Sequence, residues 1–166
     1  EYEAFLHIKE MRDKYEYMQG FNVESNVEIA KTLAMFGAFT EGLQLFASFA
    51  ILLNFPRFNK MKGMGQIVTW SARDETLHTN SIIKLFHTFL DENPDVKREE
   101  LAKDLYKACD TVIHHEDAFI DRAFELGGVE GLNAEDVKKY IRYIADNRLA
   151  QLKMDPLYNI GKNPLP

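Results

Sequence analysis

Apolar residues recur three and four apart along nearly the whole chain, and β-branched residues nowhere alternate with polar ones, so the pattern predicts helices and no strands. Phe5, Ile8, Met11 and Tyr15 fall on one face of a first helix expected from about Tyr2 to Met18, which Gly20 ends. Ser25-Asn26-Val27-Glu28 has the form of a capping box, in which the serine hydroxyl accepts from a free backbone N–H and Glu28 reaches back to the cap. A second helix is expected from there to about Asn54, before Pro56. A loop carrying Gly63 and Gly65 then leads to a third, from about Gln66 to Leu90, closed by Asn93-Pro94. A fourth covers about Lys97 to Leu126 and stops at Gly127-Gly128, and Asn133 caps a fifth, about Ala134 to Lys153, which Asp155-Pro156 terminates. Long helices joined by short turns bury their apolar stripes against one another, so residues 1–166 read as one all-α domain, a bundle of about five helices.

The stretch Leu33 to Phe55 is apolar at 16 of 23 positions, about the length of a membrane span. Glu41, Gln44, Ser48 and Asn54 interrupt it, and no aromatic and basic flanks mark the ends of a span. A helix buried on nearly all sides fits better, and no membrane partner is expected.

Composition narrows the classes further. With 46% hydrophobic and 28% charged residues, the chain can fill a core and lacks the bias of a disordered sequence. A net charge of −6 argues against a nucleic-acid partner, which would need a basic face to neutralise phosphates. Cys109 stands alone, which suits a reducing, cytoplasmic compartment and removes thiolate-cluster metal sites. The chain opens on Glu1-Tyr2-Glu3 with no signal-peptide profile and closes on Asn163-Pro164-Leu165-Pro166, and both ends are expected to be cuts.

Against that background Glu41 is conspicuous as the one charged residue in the apolar stretch, since a buried carboxylate needs a proton, a cationic partner or a metal. At 100° per residue it shares a stripe with Ala34, Ala38, Leu45, Ser48 and Leu52, so it is expected to point into the core. Partial exposure or pairing with an arginine is the alternative. In the next helix Glu75 and His78 form Glu-x-x-His, three apart and about 60° around the axis, so their side chains can converge. They lie on a stripe with Ser71, Ile82, Leu85 and Phe89 that is expected to face the core. Ferritin-like di-iron and di-manganese bundles combine one lone Glu from each of two helices with one Glu-x-x-His from each of two others. No other histidine here follows a glutamate by three, so the chain offers three ligands, half of a dinuclear set. The other half must come from a second copy or from a region outside this sequence.

Other candidates are weaker. His114-His115-Glu116-Asp117 looks metal-like, but helix neighbours diverge by about 100°, and a solvated face is expected. His87 is expected outside the core, and Tyr15, Tyr17, Tyr140 and Tyr143 are expected to be packing aromatics. Trp70 and Asp74, one turn apart, are close enough to touch.

Thr40-Glu41-Gly42-Leu43-Gln44-Leu45-Phe46-Ala47-Ser48-Phe49 and Ala72-Arg73-Asp74-Glu75-Thr76-Leu77-His78 together resemble the radical-generating small (beta) subunit of class I ribonucleotide reductase. Gly131-Leu132-Asn133, Tyr143-Ile144-Ala145-Asp146-Asn147-Arg148 and the closing Asn163-Pro164-Leu165-Pro166 add weaker support. The likeness runs over essentially all of this chain and corresponds to the C-terminal half of a family member. It implies a ferritin-like bundle with Glu41, Glu75 and His78 as metal ligands. It also implies that Asp74 hydrogen-bonds a metal-ligating histidine of the missing half and lies on the radical-transfer route, and that Phe49 lines the radical-site pocket. Leu45 stands where members often carry phenylalanine. The implied cofactor is dinuclear iron, or manganese and iron, with half of its ligands in this chain. The implied partners are the N-terminal half of the small subunit, a second small subunit, and the large catalytic subunit that reduces ribonucleotides to deoxyribonucleotides.

Two further readings stand beside this one. The same fold could serve an oxidase or oxygenase assembled from two half-sites, or Glu41 and Glu75 could belong to polar networks in a metal-free helical assembly module. In either metal-binding case stability should rise when the metal or the complementary half is present, because the unpaired acids are otherwise protonated or mutually destabilising.

Overall fold

The computed structural model describes residues 3–125 and 127–165. Among these it contains helices and a single antiparallel bridge between Val129 and Leu132. A 3-10 turn at Ala4–His7 precedes α1 (Lys9–Met18). Then come α2 (Asn26–Ala34), a π-helical segment (Met35–Gln44) and α3 (Phe46–Arg57), which together run almost without interruption. The long helices α4 (Lys62–Glu92), α5 (Arg98–Phe124) and α6 (Ala134–Gln151) complete the bundle.

The π segment is central, with α4 packed along one side of it and α6 and α5 on others, while α1 lies against α5. Phe39, Met35 and Leu43 of this segment are fully buried with Ile113, Ile120, Ile141 and Leu149. Burial of each such side chain contributes roughly 1.5–3 kcal/mol. The run Asn26–Arg57 is long and apolar enough to cross a membrane by length and composition; three helices pack against it, but only 39% of its most apolar window is buried, so it is not enclosed on nearly all sides as its sequence suggested.

The cap side chains form the bonds expected of them, but among the described residues Glu28 makes no return bond to the Ser25 N–H and instead meets Lys31 at 3.5 Å. The Ser25 hydroxyl accepts from the Glu28 N–H at 3.2 Å, and Asn133 Oδ1 accepts from Asp136 N–H at 2.8 Å. Several other expectations need correction. The first helix breaks at Ile8, whose backbone is extended, and the expected inner face is the outer one: Phe5, Ile8 and Tyr15 are exposed, while Lys14 turns inward to Glu116. Tyr2, the expected start, lies outside the described residues, as does Leu126 at the expected end of the fourth helix. Gly63 and Gly65 are not in a loop but in the first turn of α4, because Gly65 is buried against the ring of Pro56, where a side chain would collide. Pro56 itself sits inside the last turn of α3.

Candidate metal centre

The site begins with how closely two antiparallel elements approach. A Cβ on Gly37 would stand 2.6 Å from Ile82 Cγ2, so glycine lets the π segment lie against α4. Four residues further along one element and four back along the other, Glu41 meets His78. The imidazole Nδ1 lies 3.2 Å from Glu41 Oε2 and 3.5 Å from Glu75 Oε2. One ligand atom from each of Glu41, Glu75 and His78 falls within 4.8 Å of the others, so the three side chains converge as their spacing suggested and could hold a metal ion.

Their surroundings differ from the expectation. Helix α4 buries Val68, Thr79, Ile83, Phe86 and Leu90, so the stripe through Glu75, His78 and Leu85 lies at the edge of its buried face. The Glu41 and Glu75 side chains are 31% and 21% exposed and His78 is 55% exposed. Leu85 is itself half-exposed. The stripe through Ala34, Ala38 and Glu41 also ends early, because the wider π turn shifts the register and Leu45 emerges on the surface. The site is therefore an open-sided wall rather than an enclosed pocket. Beside it α4 presents Ile67, Trp70, Leu77 and Leu85, all more than half exposed.

The donor set fits a hard or borderline divalent cation. Glu41 Oε2 is buried and has no hydrogen-bond partner: its contact with His78 has the distance of an ion pair without the alignment of a hydrogen bond. Two carboxylates and one imidazole supply negative charge and a neutral nitrogen donor, the combination that suits iron or manganese. The buried Thr79 hydroxyl, next to His78, is likewise unpartnered.

The remaining candidates separate clearly. Asp74 and Trp70 both stand exposed on α4. Phe49 packs edge-on against Phe46 at 5.7 Å and lines a cavity of about 200 Å³ with Leu53, Ala72 and Tyr140. Tyr140 and Tyr143 stack at 6.5 Å, and Tyr17 packs on Phe21 and His115. His87 is half-buried and bonds the Gln151 carbonyl at 2.8 Å.

The expected solvated face at residues 114–117 is half wrong. His114 is exposed, but Glu116 is fully buried between α1 and α5 and paired with Lys14, while Asp117 takes Arg142 in a two-pronged bond at 2.9 and 2.6 Å. Burial pushes the Glu116 carboxyl up to about 7, against the opposing pull of Lys14, and burial pushes the His115 imidazole down.

The family model described as ribonucleotide reductase, small chain, matches residues 1–164. The chain is 42% identical over 183 aligned positions to a probable ribonucleoside-diphosphate reductase small subunit of Invertebrate iridescent virus 3, covering 99% of this chain and 49% of that protein. It is 31% identical over 149 positions to the ribonucleoside-diphosphate reductase subunit beta of Chlamydia pneumoniae, covering 88% and 42%. Among solved structures, a putative class I ribonucleotide reductase from Bacillus halodurans superposes with a TM-score of 0.89 at 24% identity, over 98% of this chain and 59% of that one. The R2 subunit of ribonucleotide reductase from Clostridium botulinum gives 0.88 at 21% identity, over 98% and 53%. These superpositions establish the ferritin-like helical fold. The chain spans about half the length of the curated relatives it matches.

Proposed function

The chain belongs to the ribonucleotide reductase small-chain family, and on that premise we propose that it forms part of the dinuclear-metal, radical-generating subunit of ribonucleoside-diphosphate reductase. The observation that carries this reading is the convergence of Glu41, Glu75 and His78 on one point at the open side of the bundle. They would hold iron, or manganese and iron, and one face of the site then remains for ligands from outside this sequence. Bound there, the ions would supply one-electron oxidising power for reduction of ribonucleotides by a large catalytic subunit.

The residues of this chain have separable tasks. Glu41 and Glu75 offset cation charge, and His78 donates a neutral nitrogen while its other ring nitrogen stays available to a partner. Asp74, exposed on the same helix, is available to bond a ligand histidine of the complementary half. Phe49 contributes an aromatic wall to the neighbouring cavity, which Asn54 and Arg57 also line. The exposed row Ile67, Trp70, Leu77 and Leu85 is the surface that the complementary half would cover, since apolar side chains so exposed and so aligned gain by burial. A second small subunit and the large subunit complete the assembly, in a cytoplasmic setting.

The test is co-expression with the N-terminal part of an iridescent virus small subunit, followed by anaerobic Fe(II) and then O₂. The expected result is about two irons per assembled pair and ribonucleotide reduction on adding the large subunit, both lost with Glu75→Ala. Assembly without iron would refute the reading. Loading of two ions by a homodimer of this chain alone would favour the oxidase built from two half-sites.

A further inference from the structure

We propose that Arg148 is a positioning residue for the metal centre: its Nε–H, donated to the Gly42 carbonyl, holds the π turn that carries Glu41 in register with Glu75 and His78. The inference rests on reading those three residues as the metal site.

Several independent observations converge on this arginine. Arg148 is buried, and its Nε donates to Gly42 O at 2.7 Å, across from α6 to the residue next to Glu41. A guanidinium taken out of water is costly unless its N–H groups are used, and among the described residues it has no carboxylate partner at ion-pair distance. Its charge is instead directed at a backbone carbonyl and at the face of Phe46, 5.2 Å from the ring centroid. These two contacts bracket the point where the π segment gives way to α3, and ladder carbonyls lose regular partners where helix spacing changes. Gly42 is glycine for the same reason, since a Cβ there would lie 2.8 Å from Arg148 Nε and 3.1 Å from Gly37 O.

The brace continues to the other ligand-bearing helix. Arg148 Nη1 donates to Gln151 Oε1 at 2.9 Å, and Gln151 Nε2 donates to Asn80 Oδ1 at 3.1 Å, two residues beyond His78. The Gln151 carbonyl also meets His87 Nε2 at 2.8 Å on α4. One turn of α6 thus grips the π segment next to Glu41 and α4 next to His78, and so sets the spacing between them. Partners of this kind, which orient ligands without touching the metal, typically change metal affinity 10–100-fold when removed.

The test uses the chain itself, titrated with Co(II) and followed by visible absorption, with helicity monitored by circular dichroism. Arg148→Met, similar in length but without a donor, should bind Co(II) about tenfold or more weakly with an altered absorption band. Arg148→Lys should recover part of the affinity through its ammonium donor. A folded Arg148→Met protein with the parent Kd and spectrum overturns the proposal. If Arg148→Met does not fold, Gln151→Ala decides: a Kd weakened about threefold or more supports the brace, and a parent Kd overturns it. Glu75→Ala is the separate control: saturable Co(II) binding that survives it refutes the metal-site reading itself, whatever Arg148 does.

Discussion

At the scale of single residues, the chain places two carboxylates in opposite situations. Glu41 is about a third exposed and keeps one buried oxygen free for a cation, whereas Glu116 is sealed in the bundle with Lys14 as its partner. Because burial lifts the Glu116 carboxyl from an ordinary value of 4.5 to about 7, the folded state holds its proton more tightly than the unfolded chain. The contribution of this group therefore falls as pH rises from about 4.5 to about 7, by about 3 kcal/mol at most, and is level beyond. Glu116→Gln should remove that slope. Melting temperatures of both proteins between pH 4 and 8 would check it, and parallel curves would contradict it. Sequence alone misses this pair because the lysine lies on a different helix about a hundred positions away. The lone acid Glu41 is legible because its apolar neighbours advertise burial within a single segment, and Glu75 with His78 because their spacing is local.

At the scale of elements, periodicity correctly marks the long helices and their caps at Ser25 and Asn133, since caps and apolar faces are written in neighbouring residues. It fails where distant packing decides. Gly65 is helical because Pro56 lies against it, and the π segment departs from 100° per residue because its wide turns are held by contacts from α4 and α6. Arg148 carries a faint signal of its role, a charged residue following Ile141, Ile144 and Ala145 on the buried face of α6. The Gly37 contact is a direct test of element spacing. Gly37→Ala gains up to about 1 kcal/mol in helix propensity and costs about 1–3 kcal/mol by pushing on Ile82, so a net fall in melting temperature is expected. Adding Ile82→Ala should relieve the overlap and bring Co(II) affinity back toward the parent value. Weaker affinity in the double variant than in Gly37→Ala would mean that the spacing at Ile82 does not govern the site.

At the scale of the whole molecule, the bundle is closed on the sides formed by α5 and α6 and open along α4, where the ligand wall and the apolar row lie together. On the reading proposed above both features have one cause, because a dinuclear site in a ferritin-like bundle draws its ligands from four helices and this chain would supply two of those elements. The sequence pointed to an enclosed site, with both polar groups of α4 in line with the core. The structure puts that stripe at the margin of the core, since periodicity reports which residues share a face but not whether a neighbour covers it. The decisive property of the molecule is whether a cation binds between Glu41, Glu75 and His78. Anomalous diffraction from crystals of the chain grown with Mn(II) measures this directly: a peak bounded by these three side chains, absent from His78→Ala crystals, is the predicted result, and Mn(II) bound only elsewhere on the molecule would contradict it.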